Sequence, residues 1–294
     1  MNPSGPESAS RALVIPFVVL HTFVWVALTI VILTVVLSRH VKRQIVWLSL
    51  NLSWIVTCFS FSLLFNTGQL FKSVPDKSIC LVQAVATTTF PSLTSGTTLA
   101  FALNLWFNIR SCSYRAEPGT AMFRIVALVV IPWIIPLAAF LAVFMYGAQH
   151  PEQVHLDGIG MLCGLTNTVL AKLSAISVSM IMFITAIFEA WTMWMIYRRQ
   201  LMLKTGISSI ATNLLRLSVF TLFGIVGMVA GLTYLSGHGT DEAVANLLQA
   251  LPPVSFVFIF GLQRDIFQAW MFWRKDDLPT LSNQSEGTEP ETKV

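Results

Sequence analysis

The chain has 294 residues, 55% of them hydrophobic and only 11% charged, with a mean hydropathy of +0.71. A soluble globular domain carries about 25% charged residues, so this composition excludes an ordinary water-soluble domain of the same size and makes lipid the solvent for much of the surface. The net charge of +4 and pI near 9.0 raise nucleic-acid binding, but the bases lie in short stretches between apolar runs, which is a topology signal and not a nucleic-acid footprint.

Residues 1–11 read as an extracellular tail. Apolar runs then follow at 12–37, 44–66, 79–109, 122–147, 166–197, 212–236 and 243–262, each near the roughly 20 residues that cross a bilayer as a helix. The first is longer than the apolar core of a signal peptide, about 7–15 residues, and is expected to remain as an anchor. The runs are too long and too continuously apolar for the short alternating strands of a barrel. The expected fold is therefore all-α: a membrane bundle of seven transmembrane helices spanning 12–262. In 263–275, Ile266, Phe267, Trp270 and Trp273 recur at helical spacing between charged ends, which predicts a short amphipathic helix in the interface. Residues 276–294 are polar and read as a disordered cytosolic tail.

Charge placement orients the bundle. One set of connections carries Arg39, Lys42, Arg43, Arg110, Arg115, Arg124, Arg198, Arg199, Lys204, Arg216, Arg264, Arg274 and Lys275; the opposite set carries only Arg11, Lys72 and Lys77. The basic side stays in the cytosol. With an odd number of crossings the N-terminus is outside and the C-terminus cytosolic. Two glycosylation patterns, Asn51-Leu-Ser53 and Asn283-Gln-Ser285, then fall in the membrane and the cytosol and are expected to stay unmodified.

Of four cysteines, Cys58 is inside the second run and reads as a packing residue, and Cys112 is cytosolic, a free thiol or a palmitoylation site. Cys80 and Cys163 alone face the oxidising side and form a natural disulfide pair; the alternative is two free surface thiols.

Seven runs, an outside N-terminus, the Cys80 and Cys163 pair and an amphipathic segment after the last run together resemble a G-protein-coupled receptor. The segment Phe260-Gly-Leu-Gln-Arg-Asp-Ile266, followed by Trp270 and Trp273, resembles the helix-seven end of orphan receptor-like proteins of mushroom-forming fungi. The rhodopsin-like signatures are largely missing. At the place of Asp-Arg-Tyr stands Asn104-Leu105-Trp106, with Arg110 further on, and Pro253-Val-Ser-Phe256 only loosely echoes Asn-Pro-x-x-Tyr. The resemblance implies a plasma-membrane receptor that binds an extracellular ligand and engages a heterotrimeric G protein through its cytosolic surface.

Candidate functional residues divide by depth. Two charges lie within runs, where charge is costly. Lys172, near the outer end of the fifth, either snorkels to water or faces a ligand pocket. Glu189 is nine residues before Arg198, about 13 Å deep, and is expected to pair with a polar or basic group on a neighbour in a structural or switch role. The third run is rich in hydroxyls: Thr87, Thr88, Thr89, Ser92, Thr94, Ser95, Thr97 and Thr98. These either serve close helix packing through small residues or, with Gln83, Thr87, Phe90, Asn246 and Gln249, wall an outer pocket. On the cytosolic side, Asn104, Arg110, Arg115, Arg198, Arg199 and Arg216 are candidates for G-protein engagement; attraction of these bases to anionic lipid explains the same pattern.

Other function classes are disfavoured by the residues present. A retinal protein needs a buried Schiff-base lysine in the last helix, and no Lys occurs between Lys204 and Lys275. A zinc hydrolase needs three converging ligands, whereas of the five histidines only His21 lies in a run. No catalytic residue, cofactor, metal or nucleic-acid partner is expected. A transporter or facilitator for a lipid or small solute is the alternative to a receptor; no internal repeat or buried charge pair speaks for ion coupling.

Overall fold

A computed structural model describes residues 6–38, 43–72, 75–111, 118–157, 160–166, 168–200, 208–235 and 247–261. The described chain is predominantly helical. In order the helices are α1 (Pro6–Leu37), α2 (Ile45–Phe61), a one-turn α3 (Leu63–Asn66), α4 (Lys77–Ser111), α5 (Pro118–Gln149), α6 (Thr168–Gln200), α7 (Ser208–Leu235) and α8 (Leu251–Phe256), the last running into a π turn at Val257–Gly261. The amphipathic segment 263–275 and the tail 276–294 lie outside the described residues.

Three stretches are long and apolar enough to cross a membrane: Leu13–Leu37 in α1, Met122–Gln149 in α5 and Val169–Arg198 in α6. Their outer faces carry exposed apolar side chains in quantity, among them Ile135 and Leu141 on α5 and Phe183 and Ile187 on α6. Water does not tolerate contiguous apolar faces of that extent; lipid does. Shorter apolar helices occur at Ile45–Phe61, Leu214–Val226 and Leu247–Gly261. Among the described residues, the second, third and seventh expected crossings each show a local feature that sets them apart. The second run breaks at Ser62, whose hydroxyl donates to the carbonyls of Cys58 and Phe59, and the chain restarts as α3. The seventh is described only over Leu247–Gly261, and there Pro252 and Pro253 have no N–H to bond the preceding turn. The third, α4, is 35 residues long, about 52 Å at 1.5 Å per residue, but its many hydroxyls lower its hydropathy.

Those hydroxyls are accounted for within the helix. Thr87, Thr88, Thr89, Ser92, Thr94, Ser95, Thr97 and Thr98 each donate to a carbonyl three or four residues earlier on α4. A side chain bonded this way presents mainly its carbon atoms outward, so α4 packs on all sides: against α2, α5 and α6, against α7, and against the hairpin described below. Small residues permit the approach. A Cβ added to Gly96 would meet Pro132 of α5 at 3.5 Å.

The core has two parts. One joins Val14, Phe17, Val18, Leu64, Leu70, Cys80, Ala84, Met161 and Cys163. The other fills the rest of the bundle around Leu28, Leu50, Trp54, Phe101, Leu217, Phe220, Phe256 and Phe260. In the latter, Trp54 of α2 meets Phe220 of α7 edge-on at 5.7 Å and stacks on Phe256 of α8 at 5.6 Å.

Between α5 and α6 the chain forms structure that the apolar pattern does not announce. A 3₁₀ turn (Pro151–Gln153) leads into β1 (Val154–Leu156), which pairs antiparallel with β2 (Cys163–Leu165), Val154 opposite Leu165 and Leu156 opposite Cys163. The hairpin returns at Gly160, whose φ of +77° suits glycine.

Candidate functional site

Two polar assemblies stand out, one at each end of the bundle. At the end holding the hairpin, Cys80 on the first turn of α4 is joined to Cys163 at the start of β2 in a disulfide, with the Cα atoms 5.3 Å apart. One turn further along α4, Gln83 is fully buried and its amide is satisfied three ways. Its Nε2 donates to the carbonyls of Ser60 and Phe61 at 3.3 and 3.2 Å, and its Oε1 accepts from the Cys163 amide at 3.1 Å. One side chain thus ties the end of α2, the start of α4 and the hairpin together. Gln83 was expected to wall a ligand pocket; its polar atoms are bonded to backbone.

Thr87 donates to Gln83 and Ala84 carbonyls. Phe90 stacks on Phe140 of α5, centroids 5.4 Å apart. Lys172 is exposed on α6 and Gln249 exposed before α8, while Asn246 lies outside the described residues. A groove of about 600 Å³ occurs elsewhere, along α1 at Ile15, Val18 and Thr22 and closed by Phe65, Leu70 and Phe71. Its walls are apolar and face outward from the bundle. His21, next to it in sequence, donates through Nδ1 to the Phe17 carbonyl at 2.9 Å and stacks on Phe61 at 5.0 Å, which makes it a packing residue.

Toward the other end, Glu189 of α6 is 5% exposed and accepts a 2.6 Å hydrogen bond from Thr221 Oγ1 of α7. The partner is a polar group on the neighbouring helix, and the contact holds α6 to α7 in the half that carries the bases. Asn104 is buried and donates through Nδ2 to Gln44 Oε1, just before α2. Cross-links of the same kind join α2 to α4 through Ser53 and Thr97, 2.7 Å apart, and α5 to α2 through Trp133 Nε1 donating to Ser49 Oγ at 2.8 Å.

The arginines near these helix ends lie over aromatic rings. The Arg110 guanidinium is 5.2 Å from the Trp106 ring centre, Arg124 is 4.6 Å from Phe107, Arg198 is 4.4 Å from Trp194 and Arg43 is 5.4 Å from Trp47. Two of these were legible in sequence, since Arg110 and Arg198 stand four residues after their tryptophans on one helix; the pairing of Arg124 with Phe107 joins two helices and was not. Arg216 is half-buried on α7; Arg199 ends α6 with its side chain undescribed, and Arg115 lies outside the described residues. No protein-family model matches the chain, and no curated protein matches it.

Proposed function

We propose that the chain is a seven-transmembrane signalling receptor of the plasma membrane, similar in architecture to G-protein-coupled receptors, with its N-terminus outside. The observation that carries this reading is the Cys80–Cys163 disulfide. It joins the head of the central helix to the loop before α6, on the side opposite the basic connections, where an extracellular bond is chemically stable. Three apolar helices support membrane residence. The length of α4 and the shorter apolar helices α2, α7 and α8 make up the remaining crossings in this reading, the hydroxyl-rich α4 being sheltered from lipid by its neighbours.

In such a receptor a ligand acts by favouring one of two helix packings. The Glu189–Thr221 contact between α6 and α7 is suited to mark one of them, because separating the helix ends breaks a buried hydrogen bond to a carboxylate. The cytosolic surface bearing Arg110, Arg198 and Arg216 then meets the G protein. The test is reconstitution of the full chain with a panel of heterotrimeric G proteins and measurement of nucleotide exchange. Exchange accelerated by the chain supports the receptor. No acceleration with any member, together with solute or lipid flux in proteoliposomes, would replace it by a facilitator.

A further inference from the structure

We infer that the basic ends of α4, α5 and α6 form a binding site for the headgroup of an anionic phospholipid. The site begins at Trp106 on α4. Its ring meets Phe188 and Trp191 of α6 at 5.9 and 6.0 Å, and its neighbour Phe107 at 4.8 Å. Around this aromatic wall stand Arg110 over Trp106 and Arg124 over Phe107, with Arg198 over Trp194 one turn beyond Trp191. Three helices therefore each bring a guanidinium over an aromatic ring at this end of the bundle.

Two features call for a ligand with acceptor atoms and negative charge. Arg124 Nε and Trp106 Nε1 are both buried without a hydrogen-bond partner. Each is a donor that cannot accept, so only an acceptor completes it. Among the described residues, moreover, no carboxylate is ion-paired with these arginines. A phosphate answers both demands, and guanidinium binds it through two parallel hydrogen bonds. The position selects a lipid over a free anion or a protein. Trp191 and Trp194 are about half exposed, and Met122 and Phe123 beside Arg124 are 72% and 78% exposed. The patch thus opens sideways from the ends of apolar helices, with aromatic rings at the level where headgroups lie.

This rests on the membrane reading above but not on G-protein coupling. The full chain is reconstituted in phosphatidylcholine vesicles containing either brominated phosphatidylserine or brominated phosphatidylcholine, and quenching of tryptophan fluorescence is followed against mole fraction. Each arginine near anionic lipid contributes about fivefold, so half-quenching is expected at a mole fraction at least about tenfold lower for the serine lipid. Arg124→Gln alone should lose about fivefold, and the triple variant R110Q, R124Q, R198Q most of the preference. Arg216→Gln should keep it. If the triple variant does not fold, the three single variants carry the comparison. Equal quenching by both lipids, an unchanged triple variant, equal loss in Arg216→Gln, or full competition by soluble glycerophosphoserine would each overturn the site. Absence of quenching by either lipid would instead sink membrane embedding. Both leaflets carry the probe, so the result is independent of orientation.

Discussion

Glu189 is the residue whose environment most constrains its role. A carboxyl group placed in an apolar bundle is tolerated only with a partner, and Thr221 supplies a 2.6 Å hydrogen bond. Glu189→Ala should lower stability by about 1–3 kcal/mol by stranding the Thr221 hydroxyl, whereas Glu189→Gln keeps an acceptor and should cost less. Thermal unfolding of the two purified variants in detergent checks the order; a Glu189→Ala protein melting with the parent would remove the contact from any account of α6 and α7. The depth of Glu189 was legible from its distance to Arg198. Its partner was not, because Thr221 is 32 residues away in sequence and only helix packing brings it near. Gln83 is the complementary case. Its place beside Cys80 was plain, but its three backbone partners come from two other elements.

At the scale of elements, α4 and the hairpin carry the argument. The hydroxyls of α4 look alike in sequence yet differ in place. Thr98 bonds only its own helix, at the Thr94 carbonyl, whereas Thr97 also meets Ser53 of α2. Thr98→Val should therefore change stability by less than about 0.5 kcal/mol and Thr97→Val should cost about 1 kcal/mol. Unfolding midpoints of the two variants decide this, and equal effects would mean that the α2–α4 contact contributes nothing. The hairpin is held at Cys163 by both the disulfide and Gln83. The double variant Cys80→Ser, Cys163→Ser should lose about 2–4 kcal/mol, since the bond closes a long loop. A thermal transition unmoved by the double substitution would count against the bond.

For the whole molecule, the proposed topology rests on charge asymmetry between the connections of the seven expected runs. Thirteen bases fall on one set of connections and three on the other. An N-terminal epitope tag should be reached by antibody on intact cells, and a C-terminal tag only after permeabilisation. Both tags on one side would rule out an odd number of crossings. Helical architecture and most helix limits were readable from the apolar runs, with α4, α5, α6 and α7 each extending a few residues past the run that marks it. The breaks at Ser62 and at Pro252-Pro253 and the hairpin before α6 were harder to see. The proline break and the hairpin depend on missing N–H groups and a three-residue strand pairing, neither of which alters average hydropathy.

Composition and order alone determined that this chain is helical and apolar enough for lipid, because those properties sum over many residues and survive any detail of packing. Tertiary structure alone decided which side chains meet. It spends Gln83 on the backbone of α2 and the hairpin, joins Thr97 to Ser53, and seats Glu189 against Thr221. The reason is distance. These contacts join residues tens of positions apart, and only the packing of the helices and the hairpin closes the gap.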